Sequence, residues 1–269
     1  MKPTPEVPHR NRPPAGTGAQ MSDIEFDHVS HRFADGTPGL VDIHMSIPGG
    51  SLTVIAGPNG SGKTTLLKHL NGLLRADSGT VTVAGRAVDA HLSWVRQRVG
   101  LVFQDADSQI VGETVAADVA FGPENLCLAR DDIERRVAAS LATVGLSHLA
   151  DQPSHLLSGG EKRRLCIAGV LAMQPEILAM DEPFSGLDYP GTRQVLAQIL
   201  ALKNSGHTIV ITTHDVEKIV YYTDRLFIMA GGRIVREGTP KSVLPDLERF
   251  GVREPCASRV GLEVMSWLK

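Results

Sequence analysis

The chain has 269 residues, of which 42% are hydrophobic and 21% charged, values typical of a globular protein with one large domain or two small ones. Lys and Arg total 27 against 30 Asp and Glu, and only 4% of residues are aromatic, so we expect no nucleic-acid partner. Cys127, Cys166 and Cys256 form no CxxC pair. We therefore expect neither a disulfide framework nor a zinc site, and a reducing cytoplasm fits.

The N-terminal residues 1–21 have the composition of a disordered tail. Five prolines occur among the first twenty residues, and the apolar stretch of a signal peptide is missing. Met21 directly precedes a strand pattern, so Met1 and Met21 are both candidate translation starts. The most apolar segment, 165–180, is interrupted by polar residues. Because a membrane-spanning helix needs about 20 mostly apolar residues, we expect no such helix.

Apolar runs alternate with helical patterns along the chain, which is typical of a parallel sheet covered by helices. The runs that predict strands are 52–56, 99–103, 177–180, 208–213 and 226–229. The patterns that predict helices are a leucine stripe from near Lys63 to Leu74, and residues 131–144, 160–173 and 191–202. Residues 22–54 and 79–89 contain short, strand-like segments that are rich in turns, which predicts an antiparallel subdomain. Residues 240–269 predict a mixed tail with one or two short helices.

The clearest motif follows the first buried strand. Residues 57–65, GPNGSGKTT, match GxxxxGK[ST] between a predicted strand and a predicted helix. Backbone N–H groups of such a turn, together with the helix N-terminus, bind phosphate oxygens. Lys63 would reach the β- and γ-phosphates, and the Thr64 hydroxyl would hold Mg²⁺. The predicted nucleotide-binding residues are Gly57, Pro58, Asn59, Gly60, Ser61, Gly62, Lys63, Thr64 and Thr65.

Two acids follow the strand at 177–180. They would lie at the carboxyl edge of the sheet, beside the phosphates. Asp181 is then the expected Mg²⁺ partner of the P-loop, and Glu182 is positioned to take a proton from an attacking water. An isolated strand-end acid could equally cap the next turn, but the P-loop favours the nucleotide role.

A third motif, LSGGE at residues 157–161, precedes a predicted helix. Here the chain resembles the ATP-binding-cassette family, whose signature is LSGGQ. In that family the signature of one subunit closes over the γ-phosphate held by the other. The resemblance implies that Ser158, Gly159 and Gly160 contact nucleotide across a dimer. Glu161 replaces the usual Gln, and we expect binding to survive because its side chain lies outside the Ser-Gly-Gly cradle.

Four further residues match elements of this family in chain order. Gln104 matches the Q-loop glutamine, which senses Mg²⁺ and the attacking water. Asp188, in the SGLD sequence at 185–188, matches the D-loop that links the two nucleotide sites. His214 matches the switch histidine that contacts the γ-phosphate, although an isolated strand-end histidine has a simpler explanation. Phe33 stands where the family places an aromatic ring against adenine, with a core phenylalanine as the alternative.

The resemblance extends from about residue 22 to 240. It implies an α/β P-loop NTPase with the ABC ATPase fold: a RecA-like parallel-sheet core, an antiparallel β subdomain and a helical subdomain at about 105–173. Residues 241–269 would form a C-terminal extension.

A narrower resemblance lies after the Q-loop. The sequences QDADSQIV at 104–111 and TVAADVAFGPEN at 114–125 are similar to those of the ATPases of energy-coupling-factor importers, which bring vitamins and transition-metal ions into prokaryotes. In such cassettes this segment helps to form the groove that receives a coupling helix. Ile110, Val111 and Phe121 are the candidate apolar anchors; a solvated loop and a surface helix are the alternative. The PFSGLD sequence at 183–188 looks most like the biotin branch, with cobalt or nickel import next.

Together these features predict the ATP-hydrolysing subunit of an energy-coupling-factor importer, with ATP and Mg²⁺ as ligands and Lys63, Glu182 and His214 in catalysis. The resemblance implies a second copy or a similar ATPase as partner. It also implies a transmembrane coupling subunit and a substrate-binding membrane subunit, at the cytoplasmic face of the membrane.

Three rival functions remain: the ATPase of a conventional importer or exporter, a non-transport cassette ATPase, and a P-loop module without turnover. The segment 105–125 argues against the first. The second usually carries a coiled coil, a zinc insert or a second cassette, and the sequence suggests none of them. Intact Glu182 and His214 argue against the third.

Overall fold

The computed structural model describes residues 22–268, so the predictions for residues 1–21, including a start at Met21, lie outside the described part. The strands are β1 (Ser22–Arg32), β2 (Pro38–Pro48), β3 (Leu52–Ala56), β4 (Ser78–Val83), β5 (Arg86–Ala87), β6 (Val99–Val102), β7 (Ile177–Asp181), β8 (Thr208–Thr213), β9 (Arg225–Ala230) and β10 (Arg233–Gly238). The α-helices are α1 (Lys63–Leu70), α2 (Leu92–Arg98), α3 (Val115–Asn125), α4 (Arg130–Val144), α5 (Gly159–Ala172), α6 (Tyr189–Asn204), α7 (Pro240–Val243) and α8 (Cys256–Arg259).

A six-stranded sheet in the order β10-β9-β3-β8-β7-β6 forms the centre of the protein. The strands from β9 to β6 are parallel, which confirms the five strands predicted from the apolar runs. The sixth, β10, pairs antiparallel with β9 at the edge and was missed. Its exposed and half-buried residues give it none of the continuous apolar character of a strand covered on both faces.

The central sheet separates two apolar cores. Alternate residues of one strand enter opposite cores: Val54 packs with α5 and α6, whereas Ile55 packs with α1 and the antiparallel sheet. The same alternation occurs in β8, where Ile211 and Val210 face opposite sides. Side chains of a strand alternate between its faces, so this burial on both sides explains the unbroken apolar runs.

The antiparallel sheet has the order β2-β1-β4-β5 and covers the α1 face of the central sheet. It confirms the predicted antiparallel subdomain, with strands at 22–48 and 78–87. The β1–β2 pairing is irregular, with register shifts between Phe26 and Val29 and between Val29 and His31. Such shifts locally change which side chains share a face of the sheet.

Two predicted elements end earlier than expected. The leucine stripe predicts α1 as far as Leu74, but the helix ends at Leu70 and the Leu73 side chain is 46% exposed. Asn71 caps the helix and Gly72 has a left-handed φ of 68°, a conformation that ends helices. The strand predicted to reach Phe103 ends at Val102, where the backbone turns into the Q-loop.

The helical subdomain is built from α3, α4 and α5, which pack against one another. Helices α4 and α5 begin one residue before the predicted starts at 131 and 160, and α3 corresponds to the surface helix considered for 114–125. The helix α2 was not predicted. The C-terminal residues include the two short helices α7 and α8, and Val243, Leu247 and Val252 are buried in the core beside α5 and α6. No helix in the described range 22–268 has the length and apolarity that crossing a bilayer requires.

Candidate nucleotide-binding site

Three parallel strands bring the predicted site residues to one edge of the central sheet. Strand β8 lies between β3 and β7, with Ala56 beside Thr213 and Asp181 beside Thr212. The backbone N–H of Gly57 donates to the Thr213 carbonyl at 3.2 Å, which joins the P-loop to the end of β8. The carboxyl ends of parallel strands are where open α/β sheets bind ligands.

The P-loop is held in place by its own chain. Gly62, at the N-cap of α1, has a φ of 103°, and a Cβ there would lie 2.6 Å from the Gly39 carbonyl oxygen. A Cβ on Gly57 would lie 2.3 Å from the Met229 carbonyl oxygen. Neither position has room for a side chain, so packing requires both glycines, and the left-handed φ of Gly62 also favours glycine there.

Lys63 folds back over the P-loop. Its ammonium group donates to the carbonyl oxygens of Gly57 at 2.8 Å and of Pro58 at 3.0 Å, and the residue is only 6% exposed. Burial lowers the pKa of Lys63, while the charges of Glu182 and Asp181 oppose that shift. A buried ammonium that has only neutral carbonyl acceptors is poised to bind an anion such as a phosphate.

The Ser61 hydroxyl is also buried in this loop, and no hydrogen-bond partner is found for it within the described residues. Such groups usually have a partner, so Ser61 and Lys63 both indicate that a polar ligand belongs in the loop.

Thr64 and Asp181 meet beside the P-loop. The Thr64 hydroxyl donates to Asp181 Oδ2 at 2.5 Å, and the other carboxylate oxygen accepts from the Thr212 hydroxyl at 2.6 Å. Asp181 is only 3% exposed, so its orientation is set by these two contacts. A hydroxyl and a carboxylate are oxygen ligands of the kind that Mg²⁺ prefers, so the residues fit the predicted metal.

Glu182 is held by three donors from the end of β8. Its Oε1 accepts from the backbone N–H of His214 at 2.9 Å and from His214 Nδ1 at 2.8 Å, and its Oε2 accepts from the Thr213 hydroxyl at 3.0 Å. Glu182 has a left-handed φ of 46°, a strained conformation for a residue with a side chain. The carboxylate is 7% exposed and the His214 ring is 51% exposed, so the imidazole faces open space beside a fixed carboxylate.

The Q-loop is supported by a residue that the sequence did not single out. Arg163 of α5 is buried, and its guanidinium donates to the carbonyl oxygens of Phe103 and Gln104. Gln109 bonds the backbone of Phe103 at 2.9 Å and of Leu101 at 3.2 Å. The Gln104 residue itself is exposed at the start of this loop.

The signature sequence forms the N-terminus of α5. Ser158 is the N-cap, with its hydroxyl accepting from the backbone N–H of Glu161 at 3.3 Å. The Glu161 carboxylate accepts in return from the Ser158 backbone N–H at 2.8 Å and from its hydroxyl at 2.7 Å. These contacts form a capping box and lower the pKa of Glu161. The expectation that this side chain lies outside the Ser-Gly-Gly cradle is therefore wrong. A Cβ on Gly159 would meet nothing within 4 Å, and one on Gly160 would meet its nearest neighbour at 3.8 Å.

Phe33 and Asp188 are the two remaining residues of the predicted site. The Phe33 side chain is 42% exposed and packs over Gly39 next to Thr65, so it is not a core residue. Its free surface beside α1 suits stacking against a base. Asp188 is exposed and is the N-cap of α6, with its carboxylate accepting from the Gly191 N–H at 2.8 Å.

The fold thus gathers Lys63, Thr64, Asp181, Glu182 and His214 at one edge. The signature residues of α5 belong to the separate helical subdomain. Sequence reasoning missed the supporting residues, which are Thr212, Thr213 and Arg163. The threonines directly precede His214 at the end of a predicted strand, so their position was a usable signal. No sequence signal indicated the role of Arg163, because the KRR sequence at 162–164 is typical of a solvated helix face.

Known proteins resemble this chain over most of its length. The ABC transporter family matches residues 40–185. The energy-coupling factor transporter ATP-binding protein EcfA of Methanocaldococcus jannaschii is 43% identical, over 85% of this chain and 83% of that protein. The cobalt import ATP-binding protein CbiO of Rhodobacter capsulatus is 45% identical, over 86% of this chain and 85% of that protein.

A solved structure gives the same result. The cbiO1 protein of Clostridium perfringens, described as part of the ABC transporter complex cbiONQ, aligns with a TM-score of 0.77 and 36% identity. The alignment covers 89% of this chain and 97% of that one. The predicted ABC ATPase fold is thereby confirmed. With the family pattern spanning more than half of its residues, this chain belongs to the ABC transporter family of ATP-binding subunits and is an ATPase.

Proposed function

We propose that this protein is the ATP-hydrolysing subunit of an energy-coupling-factor importer and acts at the cytoplasmic face of the membrane. The observation that carries the proposal is an open groove of about 740 Å³. The groove lies between the central sheet and the helical subdomain, where the sequence after the Q-loop resembles that of these ATPases. The relatives named EcfA and CbiO, which align over most of both chains, support the same class.

ATP would bind with its phosphates in the P-loop and its adenine against Phe33. Thr64 and Asp181 are the residues that would hold Mg²⁺, which when bound neutralises charge on the phosphates. Lys63 would exchange its carbonyl acceptors for phosphate oxygens. That exchange replaces weak neutral partners with charged ones, so the buried ammonium gains stronger hydrogen bonds.

Glu182 is the proposed general base. The carboxylate oxygens together offer about four acceptor sites, and three donors occupy part of them. A water bound to a remaining lone pair would be aligned by a carboxylate that cannot rotate. The transfer moves a proton from that water to Glu182 while the water oxygen attacks the γ-phosphorus and the bond to the leaving phosphate oxygen breaks.

His214 donates its Nδ1–H to Glu182, and its ring is half exposed. The other ring nitrogen, Nε2, would therefore be the atom that contacts the γ-phosphate.

The second half of each site would come from another ATPase subunit, either a second copy or a similar chain. The N-terminus of α5 has room for another molecule at Gly159, where a Cβ would meet nothing within 4 Å, and beside Gly160, where the nearest neighbour would lie 3.8 Å away. A helix N-terminus with unpaired backbone N–H groups attracts phosphate. Asp188, which follows the exposed residues Ser185 and Gly186, is the proposed link between the two sites.

The groove is suited to an amphipathic partner helix. Its lining includes side chains that are apolar yet open to solvent: Leu73 is 46%, Val111 60% and Phe121 52% exposed. Such side chains anchor helices that bind in grooves. Ile110, also expected as an anchor, packs instead against the core beside α5 and α6. A transmembrane coupling subunit would supply the helix, and a separate membrane subunit would bind the transported vitamin or metal ion.

The test is a double variant, Val111→Ala with Phe121→Ala. Removing central anchors should weaken the complex by roughly 2 kcal/mol or more, which is about thirtyfold in affinity. We expect ATP hydrolysis by the isolated protein to be retained, while co-purification with the membrane subunits and uptake in cells fall together.

The matched control is Tyr221→Ala with Val260→Ala, which removes a similarly exposed aromatic and aliphatic pair at 49% and 71% exposure outside the groove. This control should behave as wild type in all three assays. Unchanged co-purification and uptake in the groove variant would contradict the coupling function, even with ATPase activity intact.

A further inference from the structure

Two histidines and two aspartates meet on the outer face of the antiparallel sheet, away from the P-loop. Asp27 and His28 belong to β1, and Asp42 and His44 belong to the neighbouring β2. All four are exposed. Three of them, Asp27, Asp42 and His44, line an open groove of about 910 Å³, so an ion can reach them from solvent.

An irregularity in β1 is what brings these residues together. In a regular strand, Asp27 and His28 would point to opposite faces. The register shifts between Phe26 and Val29, and His28 has a left-handed φ of 50°. Both side chains are therefore exposed on the same side, between the buried Phe26 and Val29. Asp42, with a φ of 55°, makes a similar irregularity in β2.

The side chains are already arranged as ligands and a supporting partner. His28 Nδ1 lies 2.7 Å from Asp42 Oδ1, so its proton is donated to that carboxylate and Nε2 is left as the free ligand atom. His28 Nε2 is 4.0 Å, and His44 Nδ1 is 3.5 Å, from Asp27 Oδ1. A carboxylate that orients a ligating histidine through its other nitrogen is a common support of metal sites.

The distances match a metal site that needs only small closure. The ligand atoms of Asp27, His28 and His44 all lie within 4.8 Å of one another. With bonds of about 2.1 Å to a central ion, ligand atoms in tetrahedral positions are about 3.4 Å apart. The two imidazoles stack at 5.3 Å between ring centres, and exposed side chains can close the remaining gap by rotation.

We propose that Asp27, His28 and His44 bind a divalent first-row transition-metal ion, with Asp42 as the residue that positions His28. Two imidazole nitrogens and one carboxylate form a donor set suited to Zn²⁺, Ni²⁺ or Co²⁺ and poorly suited to Mg²⁺ or Ca²⁺, which take oxygen ligands. Water would fill the remaining positions, because the site is open. The site is separate from the Thr64 and Asp181 pair and does not depend on the proposed transport function.

The experiment titrates Ni²⁺ into the full chain without an affinity tag, in excess Mg²⁺, by isothermal calorimetry. We expect one saturable site that Asp42→Asn weakens by roughly 10- to 100-fold and that His28→Ala with His44→Ala weakens further, because that variant removes two of the three ligands. The control, His91→Ala with His148→Ala, removes two exposed histidines outside the cluster and should bind Ni²⁺ like wild type.

A second measurement locates the ion in the unmodified protein. Substoichiometric Co²⁺ should broaden the imidazole proton signals of His28 and His44 in NMR spectra before those of His91 and His148. Absence of Ni²⁺ binding by the wild type, full binding by the His28/His44 variant, or broadening that begins at other histidines would each overturn the proposal.

Discussion

Two helices of this protein begin with glycine-rich turns, yet their N-termini differ in what constrains them. Helix α1 starts at the N-cap Gly62 without a side-chain cap and without an acid in its first turn. Helix α5 follows the N-cap Ser158, and the side chains of Ser158 and Glu161 form a capping box there. A Cβ on Gly62 would collide with the protein's own backbone, whereas one on Gly159 would meet only open space.

The difference separates a helix end whose glycines the packing of this chain requires from one where that packing leaves room beside the glycines. At α1 the packing of the chain itself requires glycine, and the first turn of the helix contains no acid, which suits an anion. At α5 the chain satisfies part of the helix end with Ser158 and Glu161. Its packing makes no demand for Gly159 and Gly160. Any requirement for glycine there must come from a group that approaches from outside, such as nucleotide on another subunit.

The largest expected effect is a loss of ATP hydrolysis when Glu182, which lies near Lys63 of α1, is replaced. Glu182→Gln keeps the shape of the side chain but removes the base. ATP hydrolysis should fall by roughly 10²- to 10⁴-fold while ATP binding persists, because no phosphate contact is assigned to Glu182. Steady-state hydrolysis and equilibrium binding of ATP measure the two quantities separately.

Glu176→Gln is the matched control, since Glu176 directly precedes β7 at the end of the strand opposite Glu182. It should hydrolyse ATP like wild type. Turnover by Glu182→Gln within about threefold of wild type would mean that another group is the base, because base loss costs far more.

The next test asks whether the two helix ends act on the same nucleotide from different subunits. Lys63→Ala disables the α1 side and Gly160→Asp disables the α5 side, so each variant alone should be inactive. In a mixed dimer, one site combines both defects and the other has neither. ATPase activity should therefore appear when the two variants are mixed. No recovery, in a sample where mixed dimers are demonstrated, would contradict a site shared between subunits.

The sequence predicts those features that depend on local residue patterns. The P-loop, Asp181 and the five parallel strands were predictable because each depends on local spacing or on an unbroken apolar run. The end of α1 was predicted wrongly, since the leucine pattern continues through Leu73 while Asn71 and Gly72 end the helix.

Contacts between distant segments were beyond prediction. Arg163 reaches the Q-loop carbonyls across about 60 residues of sequence, as its hydrogen bonds to Phe103 and Gln104 record. Asp27, His28 and His44 meet only because β1 shifts register against β2. Neither a buried arginine nor a register shift leaves a periodic signal, so both depend on tertiary structure.

A smaller effect is expected when one glycine at each helix end is replaced by alanine. Gly62→Ala places a side chain at a left-handed φ and into the Gly39 carbonyl, which should cost about 2 kcal/mol or more of unfolding free energy. Gly160→Ala has room and lies in the first turn of α5, where alanine favours the helix by up to about 1 kcal/mol.

Denaturant unfolding measures both changes, and ATPase assays accompany it. Gly160→Ala should be at least as stable as wild type yet lose hydrolysis, because the added methyl group occupies the space proposed for the partner's nucleotide. A Gly160→Ala protein that is both stable and fully active would show that glycine is not needed there. Equal destabilisation at the two positions would remove the distinction between the helices.

The smallest effect concerns Glu161, an acid in the first turn of α5 that has no counterpart in α1. Hydrogen bonds from the Ser158 hydroxyl and backbone N–H hold the pKa of Glu161 below its usual range. A lowered folded-state pKa adds stability above the unfolded-state pKa, and that stability is lost as the pH falls through the folded-state value. Glu161→Gln keeps an acceptor for the Ser158 N–H but cannot titrate. Its difference in unfolding free energy from wild type, about 1 kcal/mol or less, should therefore be present at neutral pH and vanish in acid. Glu113→Gln, an exposed control without a side-chain hydrogen bond among those identified, should show no such change. A Glu161→Gln difference that stays constant with pH would mean that the charge of Glu161 contributes nothing to the α5 cap.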